Sequence, residues 1–210
     1  MTMRAASISR RGFLAGAPLA LAACSGGVSV RAPQEAIDRV VHRTSGPRSL
    51  TLITVKNVSS GNGAHTALLI DASQRVLFDP AGSFGHPSIP ERDDVLFGFT
   101  PYLEGVYESY HARETYYVIS QKVEVPAATA EQALQLALAN GPVARMNCTR
   151  ETSALIGRLP GFESISTTWF PNNLADDFAR LPGVQQRELR EDDPDLSVEA
   201  RRQAAATPAR

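Results

Sequence analysis

The sequence predicts an α+β domain on two observations. Its first half consists of short apolar runs bounded by Gly, Asn, Asp and Ser turns, and in its second half apolar residues recur at helical spacing between Pro and Gly stops. A third observation separates that domain from the chain's beginning: paired arginines and an apolar stretch run directly into Cys24. The expected organisation is an export signal over 1–23, a tether over 24–47, the domain over 48–188 and a polar, disordered tail over 189–210.

The strands come first. Ser49–Asn57 is rich in Leu, Ile, Val and Thr, Ser59-Ser60-Gly61-Asn62-Gly63 is a turn, and residues 64–71 resume the apolar pattern. Asp71-Ala72-Ser73-Gln74 reads as a hairpin connection into 75–79. Residues 95–99 and 116–125 supply two more strands, the latter placing Tyr117, Ile119, Val123 and Val125 on one face.

The helices follow. Thr129 with Gln132 three residues on reads as a capping box, Ala130, Ala133, Leu134, Ala137 and Leu138 form an apolar stripe, and Gly141-Pro142 stops the helix. A second helix is expected over 148–159, ended by Pro160-Gly161. A third is expected over 174–181, with Asn173 as its cap and Pro182-Gly183 as its stop. In the tether, a short helix is expected over 35–42.

The N terminus carries its own signal. Arg10-Arg11-Gly12-Phe13-Leu14 precedes about a dozen mostly apolar residues, well short of the roughly 20 that cross a bilayer as a helix, and no acidic residue stands before Cys24. Leu21-Ala22-Ala23-Cys24 resembles a lipobox, and the arginine pair resembles a twin-arginine export signal. Both imply removal of 1–23 and a diacylglycerol on Cys24, hence a periplasmic protein anchored to the membrane through that lipid. Ser25, not aspartate, follows the cysteine, which points to the outer membrane. An ordinary secretory signal is the plainer alternative.

Cleavage there would remove three of the chain's 21 basic residues, leaving 18 against 22 acidic ones. A mildly acidic chain of this kind offers no footprint for nucleic acid.

Of two cysteines, Cys24 is committed to lipid, which leaves Cys148 unpaired in an oxidising compartment. It is either a small buried hydrophobe or a functional thiol. With Asn147 as cap, Cys148 occupies the first turn of its helix, where unpaired amides and the helix dipole favour a thiolate. A thiol nucleophile needs a base. His65, opening an apolar strand after a glycine-rich turn, is the first candidate; His86, in a glycine-rich loop, is the reserve; His42 and His111 are expected in exposed, polar surroundings.

A hairpin loop of 71–73 pairs 70 with 74 and therefore 65 with 79, so that Asp79 shares a face with His65 and can orient the imidazole. A loop one residue longer would turn Asp79 away. The alternative for Asp79-Pro80-Ala81-Gly82 is a strand-ending turn with the aspartate bonded to backbone.

These pieces, Gly63 to Ile70 around His65, Val76 to Gly82 around Asp79, and Asn147-Cys148-Thr149 opening a helix, resemble the circularly permuted papain-like superfamily, which includes NlpC-type proteins and the lecithin:retinol acyltransferase group. Phe170-Pro171-Asn172-Asn173-Leu174 resembles a segment that follows the cysteine helix there. The likeness covers roughly residues 50–182. It implies a small antiparallel sheet packed against the helix that carries the cysteine, with Cys148 as nucleophile, His65 as base and Asp79 as the third polar residue. Other members fill that third place with histidine, glutamate or glutamine.

The implied chemistry is acyl transfer through a thioester, the oxyanion held by the Cys148 amide. Cell-wall peptide, another amide and a lipid ester all fit it. No cofactor and no metal is expected, because neither paired histidines at ligand spacing nor a second free cysteine occurs. A non-catalytic peptide- or glycan-binding lipoprotein and a structural envelope lipoprotein are the other classes.

Overall fold

A computed structural model describes residues 27–206. The expected signal over 1–23 and the lipidation residue Cys24 lie outside the described residues. The architecture is α+β, with a seven-stranded antiparallel sheet and, among the described residues, six helices. The order along the chain is α1 (Gln34–Val40), β1 (Ser49–Asn57), β2 (Gly63–Asp71), β3 (Arg75–Phe78), β4 (Glu91–Arg92), β5 (Val95–Phe97), α2 (Pro101–His111), β6 (Tyr116–Glu124), α3 (Ala127–Asn140), α4 (Cys148–Ile156), α5 (Pro171–Ala179), β7 (Gln185–Leu189) and α6 (Val198–Ala206). In the sheet the strands lie in the order β4-β5-β3-β2-β1-β6-β7. No described helix is long and apolar enough to cross a membrane.

The central strands are buried on both faces, which is why β1 and β2 read as nearly continuous apolar runs. Alternate residues serve different layers. Leu50, Leu52, Leu68, Ile70, Val76 and Phe78 pack with α3, α4 and α5 on one face. Ile53, Val55, Ala67, Leu69, Leu77 and Leu96 pack with Leu103, Tyr107 and Tyr110 of α2 on the other. Each large side chain buried this way contributes about 1.5–3 kcal/mol relative to exposure.

Several local expectations change. Helix α3 begins at Ala127, two residues before Thr129, because Pro126 supplies the cap carbonyl to the amides of Thr129 and Ala130, and no side chain caps the helix. Helix α5 starts at Pro171, whose fixed φ suits a first helical position, so Asn173 lies inside the helix and does not cap it.

Helix α2 has no counterpart in the expected elements, although Thr100 caps it by accepting the Leu103 amide and Pro101 opens it. The tether and tail also differ from expectation. Ile37 of α1 is buried in the core, and the Ala32 amide bonds the Glu91 carbonyl, so 27–47 is laid along the domain. Residues 185–189 form the edge strand β7, and α6 returns to pack on α2. Backbone pairing and ion pairs such as Arg113 to Asp193 at 3.1 Å hold this region, forces that its polar composition does not display.

Candidate active site

Three elements bring the predicted trio together. In β2 the pairing with β1 shifts between Val55–His65 and Lys56–Gly63, leaving Ala64 as an extra residue. A bulge re-aims the neighbouring side chain, and here His65 stands at the end of the strand with its side chain 15% exposed.

β3 pairs with β2 through Asp71–Arg75, Ile70–Val76, Leu69–Leu77 and Leu68–Phe78, so the loop is 72–74 and not 71–73. Continued by one pair, that register sets Asp79 opposite Ala67 instead of His65. The slip is two residues in pairing, which preserves the face, and Asp79 meets His65 as a diagonal neighbour. His65 Nε2 and Asp79 Oδ1 are 2.6 Å apart.

Asp79 also closes a strand-ending turn, through its main chain and not its side chain. Its backbone carbonyl accepts the Gly82 amide at 2.9 Å, closing a turn in which Ala81 takes φ 56°, while its carboxylate takes the histidine. Gly82 is required there: a Cβ at that position would lie 1.9 Å from Asp79 Oδ2. The Tyr107 hydroxyl donates a second hydrogen bond to Asp79 Oδ1 at 2.8 Å.

Cys148 is the first residue of α4 and 9% exposed. Asn147 occupies the cap position but caps through its carbonyl, which accepts the Glu151 amide at 3.0 Å, and not through its side chain. Thr149 Oγ1 lies 3.8 Å from the Cys148 sulfur and 3.0 Å from Thr66 Oγ1, which ties the helix start to the histidine strand. Just before the cap, Met146 holds φ 69°, a left-handed conformation that costs a non-glycine residue on the order of 1 kcal/mol. This kink turns the chain from the preceding loop into α4.

The trio is coupled electrically as well as spatially. Burial alone would lower the basicity of His65, but the charge and hydrogen bond of Asp79, together with the Cys148 sulfur, push its pKa up to about 10. Burial would raise the Cys148 thiol; the hydrogen bond and charge of His65 outweigh that and hold it below the usual thiol value. Burial likewise opposes ionisation of Asp79, and the His65 charge overcomes it to keep the carboxyl low. A lowered thiol beside a raised imidazole favours the proton on nitrogen over sulfur. Nε2 donates to the Asp79 carboxylate.

The remaining histidines sort themselves. His86 stays on its loop, where Nδ1 bonds the Ser88 hydroxyl at 2.7 Å, outside the trio. His42 is half-buried and offers its carbonyl to the Arg75 amide. His111, expected in exposed surroundings, is buried: it ends α2 and stacks on His65 with ring centres 5.8 Å apart. Its Nδ1 donates to the Tyr107 carbonyl at 2.9 Å, and burial together with the His65 charge pushes its pKa down to about 4. Tyr107, His111 and Gly82 are thus the parts that sequence reasoning did not assign to the site. The Thr100-Pro101 start and the Leu103, Tyr107, Tyr110 spacing carried the signal for α2.

A cleft of about 230 Å³ is lined by Val55, Ala64, His65, Gly82, His111 and Arg201, so that of the trio His65 alone lines it. Among the described residues, no group of three or more His, Cys, Asp or Glu side chains is placed to hold a metal ion. Fold and site together define an α+β protein with a buried Cys-His-Asp cluster at one end of its sheet. No protein-family model, no curated protein and no solved structure matches the chain.

Proposed function

We propose that this chain is an envelope lipoprotein that carries out thiol-dependent acyl transfer on a permuted papain-like scaffold, with Cys148 as nucleophile, His65 as base and Asp79 as its orienting carboxylate. One observation carries the reading: the 2.6 Å His65–Asp79 contact sits beside a cysteine at a helix start, with the histidine and the thiol coupled by hydrogen bond and charge. The chain order, histidine strand before cysteine helix, agrees with that of the permuted superfamily.

The chemistry runs as follows. The Cys148 thiolate attacks a carbonyl carbon, forming a C–S bond, and the oxyanion faces the amides of the first turn of α4. The imidazolium of His65 gives its proton to the departing amine or alcohol as that bond breaks, leaving an acyl-thioester and a neutral imidazole. That imidazole then takes a proton from water as the water oxygen attacks the thioester, and the thiolate leaves with the acid released. Asp79 keeps the imidazole in one tautomer throughout, and Tyr107 keeps the carboxylate in place.

Cys24 supplies the anchor in this reading. A Cys24→Ala variant is expected to leave the membrane fraction; persistence there after a carbonate wash overturns the lipoprotein assignment. A binding protein on the same scaffold is the second reading, favoured by the low exposure of Cys148. Capture of Cys148 in whole envelopes, with the mass of the trapped acyl group measured, separates the two. An acyl adduct that disappears in His65→Ala supports the enzyme; an unmodified thiol under turnover conditions supports the binder.

A further inference from the structure

The site is bordered by large apolar side chains that no described residue covers. Met146, two residues before Cys148, is 86% exposed, Trp169 is 57% exposed and Phe170 is 65% exposed. They belong to one rim. Arg150 of α4 lies over the Trp169 ring at 5.5 Å, and Ser153 Oγ accepts the Thr168 amide at 3.0 Å, so the 168–170 segment is held against the cysteine helix. At its other end, Pro171 lies against Gly63, where a Cβ would come within 2.3 Å of it, and Asn172 Nδ2 donates to the Gly61 carbonyl at 3.1 Å. The loop therefore runs from the helix that carries Cys148 to the strand that carries His65, with its two aromatics outward.

The start of the described chain reaches the same rim. Gly27 is packed so closely on Val143 that a Cβ there would lie 2.3 Å from the Val143 carbonyl oxygen, and the next residue, Val28, is exposed. Val143, against which Gly27 packs, and Arg150, which lies over Trp169, line one depression together with Asn147. Cys24 stands three residues before Gly27, a separation that extended chain spans in at most about 10 Å. A diacylglycerol on Cys24 would thus hold a bilayer within that reach of Gly27. Arg145 and Arg150 are both exposed here, next to the apolar side chains, the mixture that sits well at a lipid headgroup boundary.

We infer that the Met146–Trp169–Phe170 rim is a phospholipid-bilayer docking surface, which lays the mouth of the Cys148 site on the membrane that holds the anchor. Scattered exposed apolar residues are ordinary on proteins; three large ones, one just before the cysteine helix and two on the segment held against it, mark an interaction surface. Trp and Phe favour the interface because their rings are apolar while the tryptophan N–H still finds a polar partner there. The acyl groups that reach Cys148 from this side are those presented by lipid or by lipid-attached molecules. The inference rests on the lipoprotein reading for its anchor, while the rim itself does not.

Trp169 is the chain's single tryptophan, so its emission reports this surface alone. The protein purified from envelopes is reconstituted into phosphatidylcholine–phosphatidylglycerol vesicles in which part of the phosphatidylcholine carries mid-chain bromine, and its N-terminal mass is measured in parallel. Expected is a blue-shifted Trp169 emission quenched about twofold or more, with most of that quenching lost in a Met146→Asn, Phe170→Asn variant. Unquenched, unshifted emission from protein whose mass proves the diacylglycerol overturns the inference. If the mass shows no lipid on Cys24, the anchor reading fails separately, and the same vesicles decide the rim: quenching upholds it and its absence refutes it.

Discussion

Two histidines, one half-buried and one buried, stack 5.8 Å apart at the end of the sheet, and their environments drive them in opposite directions. His65, at the end of β2, has the Asp79 carboxylate at 2.6 Å and a thiol beside it, and its pKa climbs to about 10. His111, at the end of α2, has only a backbone carbonyl on its Nδ1, and its pKa falls to about 4. Burial lowers both. The difference is the carboxylate, which turns one imidazole into a stable cation while the other stays neutral partly because its neighbour is charged. One charged and one neutral ring, stacked, give the site a proton carrier whose position is fixed and a packing partner that does not compete for the proton.

The comparison breaks most completely if the carboxylate is removed. In Asp79→Asn, His65 should lose most of its raised basicity, and alkylation of Cys148 by iodoacetamide at neutral pH should slow by about tenfold or more, because the thiol returns toward its ordinary pKa near 8.5. Unchanged alkylation would mean that burial and thiol alone keep His65 charged.

Gly82→Ala reaches the same carboxylate from the other side. The added methyl would meet Asp79 Oδ2 at 1.9 Å, so either the carboxylate or the turn must move. Thiol reactivity should fall severalfold, and stability should drop by about 1–3 kcal/mol in urea unfolding. A neutral outcome in both measurements would show that the turn relaxes without disturbing Asp79.

The pH dependence of stability separates the two rings. A histidine whose folded pKa lies below its unfolded 6.5 contributes stability that is present above 6.5 and lost as pH falls toward about 4, which is the case of His111. His65, raised in the folded state, contributes below 6.5 and loses that contribution as pH rises through about 10. In His111→Gln the acid-side loss, on the order of 3 kcal/mol for that shift, should largely vanish from urea midpoints measured between pH 7 and 4, while the alkaline side stays. An unchanged acid slope would place the proton uptake elsewhere.

Tyr107→Phe should do least. It removes one of two hydrogen bonds to Asp79 Oδ1 and leaves the ring packing, so stability should fall by about 1–2 kcal/mol and the alkylation pH profile should shift only slightly. A large loss of thiol reactivity would make Tyr107 essential for holding the carboxylate.

The sheet around the trio was legible because its strands are long apolar runs, and Cys148, His65 and Asp79 could be placed from a helix start, a strand start and a hairpin. The hairpin worked by parity: the register is two residues away from the one expected, and the face survived because side chains alternate with period two. Helix α2 was illegible as core because Gly105 and its tyrosines break the apolar stripe, although Leu103, Tyr107 and Tyr110 pack inward. With α2 went His111 and Tyr107. The ends of the chain misled for a related reason, since edge-strand pairing in β7 and the Arg201 contact with the Tyr110 ring at 4.7 Å depend on polar and aromatic partners far away in sequence.

The central claim, that Cys148 is a thiolate held by a charged His65, is tested most directly by the rate of Cys148 alkylation as a function of pH in the native protein, beside His65→Ala. The account predicts an inflection well below the roughly 8.5 of free cysteine, a plateau above it, and in His65→Ala a return of the inflection to 8.5 or higher. An inflection at or above 8.5 in the native protein, unmoved by His65→Ala, would contradict it and leave Cys148 a buried structural thiol.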